Sequence, residues 1–182
     1  MDPKPIIEAT RHWIANVVIG LNLCPFARRV FDGGLIRYTV TDAVDATTLT
    51  AALTEQLLLL SKTPAADVET AFLIHPNALG DFLDYNDFIA ESELLVAELR
   101  LEGVVQIAGF HPQYRFAGTR PDDIANYTNR SPFPMLHLLR EDSITKVNGD
   151  PEKLLDIPAR NIETLRKLGE PGLLALLKRD PA

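Results

Sequence analysis

Apolar residues recur at helical spacing through residues 5–21. Ile6, Ile7, Trp13, Ile14, Val17, Val18 and Leu21 form one stripe, which predicts an amphipathic helix. The period then changes. Residues 35–40 (Leu-Ile-Arg-Tyr-Thr-Val), 68–74 (Val-Glu-Thr-Ala-Phe-Leu-Ile) and 103–110 (Gly-Val-Val-Gln-Ile-Ala-Gly-Phe) read as strands. Between them, Leu49, Leu53, Leu57 and Leu60 mark a helix over 45–62, and a further helix is expected over 86–100, closed by Gly103 near its C-cap. After an irregular polar stretch at 111–132, helices are expected near 134–147, 158–168 and 171–178. Asp156 suits an N-cap, Pro158 a first turn and Gly169 a helix end.

Strands alternating with helices argue for parallel strands joined by right-handed crossovers. The expected fold class is α/β: a single globular domain over residues 1–182, with a small, largely parallel sheet of about three strands or slightly more. Helices pack on the sheet, and a long ordered loop and C-terminal helices follow. The chain has 182 residues, enough to bury a core. Lys+Arg 18 against Asp+Glu 25 gives a net charge of −7, so the basic footprint of a nucleic-acid binder is missing. Met1-Asp2-Pro3-Lys4-Pro5 does not open a signal peptide, and Trp13–Leu23 is too short to cross a bilayer. A single cysteine excludes an intrachain disulfide and a multi-cysteine zinc site. A cytoplasmic protein without nucleic-acid or membrane partners is expected; the oligomeric state is open.

Two expected strands run into the same dipeptide, His75-Pro76 and His111-Pro112. Proline stops ladder pairing, so parallel strands would bring both histidines to one carboxyl edge, where open α/β sheets bind ligands. The alternative is that His-Pro only terminates a strand. Cys24 opens a run from Asn22 to Gly34 that reads as a short helix, with Pro25 in its first turn and Gly33-Gly34 as its stop. The N–H groups and dipole of a helix start favour a thiolate, and Arg28 and Arg29 add positive charge. Folded back along strand one, that helix would carry Cys24 toward His75 and His111. Burial among Leu23, Phe26 and Phe31 would instead raise the thiol pKa and make Cys24 core.

The loop and the segment after it are dense in polar and aromatic residues. Arg115, Asn126, Asn129, Arg130 and Ser131 precede the helix expected near 134, which with Arg130 suits a phosphate or carboxylate. On that helix, His137, Arg140 and Glu141 would share a face. A buried polar network stapling the loop to the domain is the competing account. Asp84 and Asp87 follow the first His-Pro and could hold a cation or orient a histidine; helix capping is the competing role for Asp84. P-loop, dinucleotide, zincin and nucleophile-elbow signatures are absent from the sequence.

The strings VIGLNLCPFA (18–27), DYNDF (84–88), FHPQYRFAG (110–118) and NYTNRSPFPMLHLLRED (126–142) resemble those of an uncharacterised bacterial family with plant relatives, a domain of unknown function, over about residues 11–168. The resemblance implies that these strings build one site and transfers no activity. Three functions stay open. The first is a thiol-dependent hydrolase or transferase: Cys24 as nucleophile, His75 or His111 as base, Asp87, Asn126 or Asn129 as orienter, and Asn22, Arg115, Arg130 and Arg140 around an anionic small molecule. The second is a divalent metal on His75, His111 and His137; otherwise no cofactor is expected. The third is a noncatalytic module for an anionic metabolite or a protein partner.

Overall fold

A computed structural model of the chain describes residues 1–143 and 156–178. The elements are α1 (Lys4–Trp13), a π-helical segment (Ile14–Ile19), α2 (Ala27–Asp32), β1 (Ile36–Val40), α3 (Ala46–Lys62), β2 (Thr70–Ile74), α4 (Phe82–Glu98), β3 (Val105–Phe110), a 3₁₀ turn (Ile124–Thr128), β4 (Met135–Arg140) and α5 (Ile157–Leu177). Together they form an α/β fold around one four-stranded mixed sheet of order β1-β2-β4-β3.

β1 and β2 pair in parallel, with Tyr38 opposite Phe72. β4 enters between β2 and β3 and runs antiparallel to both, with His137 opposite Phe72 on one side and Ala108 on the other. The three strands expected from the sequence therefore point the same way, but the second and third are separated by a fourth. Within the span of the helix expected near 134–147, residues 135–140 form this strand and 141–143 are helical; residues 144–147 lie outside the described residues. Pro132 and Pro134 explain the difference. A proline disfavours the α region for the residue before it, so Pro132 and Pro134 oppose a helix start at Ser131 and Phe133.

Alternation along the central strands divides the core into two layers. Ala71 and Leu73 of β2, with Leu136 and Leu138 of β4, pack under α3 and α4 among Leu49, Leu53, Leu57, Tyr85 and Phe88. Phe72, Ile74 and Met135 face the opposite layer, where Trp13, Ile14, Val17, Leu165 and Leu173 bring α1, the π segment and α5. The caps differ from expectation in detail. Asp81, not Asp84, caps α4, accepting from the N–H groups of Leu83 and Asp84. Asp156 precedes α5 without a side-chain capping bond, and α5 kinks at Gly169, whose φ is 72°.

The first helix is not continuous through residue 21. After Trp13 the hydrogen bonds widen, as in Gly20 N–H to Ala15 O at 3.0 Å and Leu23 N–H to Val18 O at 2.8 Å. A π-helical stretch is rare and is frequently found at functional sites; here it lays Ile14 and Val18 over a cavity. Gly20 makes the widening possible, since a Cβ there would lie 2.2 Å from the Asn16 carbonyl oxygen. Gly20→Ala is expected to destabilise the fold by about 2 kcal/mol, within the usual cost of overpacking. Urea denaturation checks this; an unchanged midpoint would mean that the backbone there shifts freely.

Candidate functional site

The two His-Pro corners do lie on one edge, because β2 and β3 run in the same direction. Tyr85 of α4 joins them, with its ring 5.8 Å from that of His75 and 4.9 Å from that of His111. The Tyr85 hydroxyl donates to the Met135 carbonyl at 2.8 Å.

Hydrogen bonds set both tautomers. The Ala78 carbonyl can only accept, so the His75 proton sits on Nδ1, 3.1 Å away. His75 Nε2 is left sealed without a partner. His111 is the reverse: its Nδ1 accepts from the Gln113 N–H at 3.0 Å, so its proton is on Nε2 and goes to the Leu79 carbonyl. Burial lowers the His75 pKa to about 4. It lowers that of His111 too, against the raising effects of the Leu79 bond and of Asp81. Asp81 is thus the carboxylate whose charge reaches His111, while Asp87 lies on the exposed side of α4. Both rings are neutral and bind the loops that follow their strands.

The 111–132 loop is a stapled network. Asn126 is fully buried; its Oδ1 accepts from the Phe116 N–H and the Thr119 hydroxyl, and its Nδ2 donates to Arg120 O. Asn129 accepts at its carbonyl from the His111 N–H and at Oδ1 from the Thr128 hydroxyl. Ser131 Oγ donates to Phe133 O at 2.6 Å. Arg130 donates to the carbonyls of Tyr114 and Pro121 and lies 4.3 Å over the Tyr127 ring. Arg115 is exposed and shares an open cleft with Arg130, Asp81 and Gln113. No helix begins near 132, so the expected helix-start site for an anion is not formed. Arg140 is at the other end of β4, opposite Val105, about 17 Å from Met135 by strand rise. Its guanidinium donates to the carbonyls of Leu60, Thr63 and Val68, tying the end of α3 to the sheet. The Glu141 N–H donates to Val104 O, and no helical face gathers Glu141 with His137 and Arg140.

Cys24 is elsewhere. α2 has six residues and starts at Ala27, so it spans only about 9 Å. Cys24 therefore reaches neither His75 nor His111. It lines a cavity of about 130 Å³ over the middle and amino end of the sheet. Its walls include Trp13, Ile14, Val18, Phe26, Ala27, Val30, Ile36, Phe72 and Phe110, with Thr70 and His137 on its floor. Arg29 and Glu69, at its rim, form a 2.6 Å ion pair.

Burial raises the Cys24 pKa, outweighing the N–H groups of Phe26 and Ala27 and the charge of Arg160, all of which lower it. Of the two opposing effects expected from the sequence, the helix start with Arg28 and Arg29 against an apolar shell, the shell prevails, and the cation that counts comes from α5. Arg160 also donates to Asn22 O, and Asn161 to Leu23 O, so α5 pins the segment bearing the thiol. Asn22 itself adopts a left-handed φ of 52°.

His137 lies flat on Phe72, ring centroids 4.0 Å apart. Its Nε2 is 2.7 Å from Thr70 Oγ1, and that hydroxyl is 2.6 Å from the Leu138 carbonyl. A hydroxyl has one proton, and the carbonyl needs it, so Nε2 carries the ring proton and donates to Thr70. Burial holds the His137 pKa down at about 3. Cys24 and His137 thus share a cavity that sequence reasoning did not foresee, and His75, His111 and His137 do not meet. Among the described residues no group of three His, Cys, Asp or Glu side chains is placed to hold a metal. None of their helices is long and apolar enough to cross a membrane. Thr70, Trp13, Phe72 and Phe110 had carried no functional signal beyond strand or helix periodicity.

An α/β domain with an apolar cavity, walled by a thiol and a neutral imidazole, is what the fold and these residues define. The chain belongs to the family described as "Protein of unknown function (DUF1415)", whose profile matches residues 5–175. No curated protein and no solved structure matches it.

Two measurements check the electrostatics. Alkylation of native Cys24 should have its pH midpoint above that of the denatured chain, because the folded pKa is raised; a lower midpoint would refute the dominance of burial. His75 acts on acid stability. Its folded pKa is about 4, below the unfolded value, so the unfolded chain takes up protons first as pH falls. Stability is full above about pH 6.5 and is progressively lost down to the folded value, by about 3 kcal/mol. His75→Asn, which keeps a donor for Ala78, should flatten denaturation free energy against pH across that window. An unchanged slope would clear His75 of the effect.

Proposed function

We propose that this protein binds a small, uncharged, largely apolar molecule in the cavity over β1, β2 and β4. The observation that carries the reading is the cavity wall: aromatic and aliphatic side chains around a neutral imidazole and a protonated thiol. Its volume of about 130 Å³ suits a single ring, since a dry apolar cavity of about 150 Å³ admits benzene. An anion does not suit this cavity, because both arginines in its wall are engaged, Arg29 with Glu69 and Arg140 with carbonyls. The anionic small molecule expected from the sequence would have to use the open cleft of Arg115 and Arg130 instead.

A second reading, a thiol-dependent enzyme, is favoured by one observation: Cys24 and His137 face the same cavity. Its difficulty is energetic. The thiol pKa is above its ordinary value and that of the imidazole is about 3. Both shifts disfavour a resting thiolate–imidazolium pair. On this reading Cys24 reacts as a nucleophile only after substrate has altered its surroundings. Cys24→Ala would then abolish turnover while leaving binding intact.

Benzene, toluene and indole test the first reading by thermal denaturation. Ligand at a hundred times its Kd should add about 2.7 kcal/mol of stability. Ala27→Leu, which fills the cavity from α2, should remove that gain. If none of the three shifts the midpoint, or if the shift survives Ala27→Leu, the cavity is not the site.

A further inference from the structure

The polar atoms that face the cavity limit what can occupy it. His137 Nε2 is committed to Thr70 by the proton count above. Nδ1 then carries a bare lone pair. No hydrogen bond to it is made by a described residue, and the His137 side chain is only partly buried. It is therefore reachable from the cavity that its ring lines. An acceptor on an apolar floor is satisfied by a donor, and in a space this small the donor and an apolar ring must belong to one molecule.

We propose that the ligand is an uncharged single-ring compound bearing one O–H or N–H group, of the phenol class, whose donor bonds to His137 Nδ1 while its ring lies among Phe72, Phe110 and Trp13. Thr70 is the positioning residue. By accepting from Nε2–H and passing its own proton to the Leu138 carbonyl, it fixes the tautomer in which Nδ1 can only accept. A carboxylate, which has no donor to give, is refused twice: by the lone pair and by the apolar walls. The proposal rests on the reading that this cavity is the binding site.

Phenol and toluene are nearly the same size and differ in the donor, so they are the probes. Each is titrated by calorimetry into the full chain and into the His137→Leu variant. The ratio of toluene Kd to phenol Kd should fall about tenfold in the variant, the equivalent of a hydrogen bond of about 1.4 kcal/mol. A ratio that does not change would overturn the donor assignment while leaving the cavity as a binding site. If neither compound binds the native chain, it is the binding reading itself that fails. Should His137→Leu not fold, nitrogen-labelled native protein decides. The histidine-ring NMR signals should report the Nε2–H tautomer, and phenol, not toluene, should shift the unprotonated His137 nitrogen. An Nδ1–H tautomer, or equal shifts with both compounds, would refute the proposal.

Discussion

A strand buried along its whole length must find hydrogen-bond partners on both edges, since an unpaired backbone group out of reach of water costs as much as the bond it lacks. β2 is such a strand: all five of its residues are buried. β1 serves one edge in parallel, and β4 serves the other from the far end of the chain. Because β4 returns antiparallel between two strands that share a direction, its residues sit opposite those of both. That register puts His137 beside Phe72 and puts Met135 where Tyr85 reaches its carbonyl. The site and the aromatic corner under α4 both follow from one strand's need for a second neighbour.

The histidines show how the same residue type takes opposite roles. His75 and His111 are each tied to loop backbone by a ring nitrogen, and their rings pack against Tyr85. They hold turns at the carboxyl edge, where open α/β sheets usually bind ligands. His137, in the middle of a strand, has one nitrogen held by Thr70 and the other turned to a cavity. Low dielectric keeps the ring neutral. An acceptor that stays unprotonated throughout the physiological range is a recognition element, whereas a general base needs a pKa near the working pH.

Local pattern made three strands and their direction legible, along with the helices over 45–62 and 86–100 and the break at Gly169. Those features depend on periodicity and glycine, which act over a few residues. β4 was hidden because Leu136-His137-Leu138-Leu139-Arg140 has apolar residues that suit either period. The two prolines before it are ambiguous too: each disfavours the α region for the residue it follows, yet proline also suits the first turn of a helix. The site was hidden for a different reason. Cys24 stood out, but its partner lies 113 positions away on a strand that had not been recognised. Thr70 and Phe72 looked like ordinary strand residues until the register paired them with β4. The thiol's pKa was also decided by long-range packing, since the apolar shell belongs to α1, α2 and the sheet together.

The chain contains one tryptophan and one cysteine. Trp13 and Cys24 both form walls of the same cavity. The protein thus carries a built-in optical reporter and a unique attachment point, both at its candidate site and neither duplicated elsewhere. With excitation selective for tryptophan, emission from the native chain comes from a single indole packed edge-on against Phe110, so quenching or a colour change on addition of a compound is a signal from that wall alone. A thiol-reactive tether would place a fragment at the same spot without any mutation, which makes the wild-type sequence suited to screening for the molecule it holds.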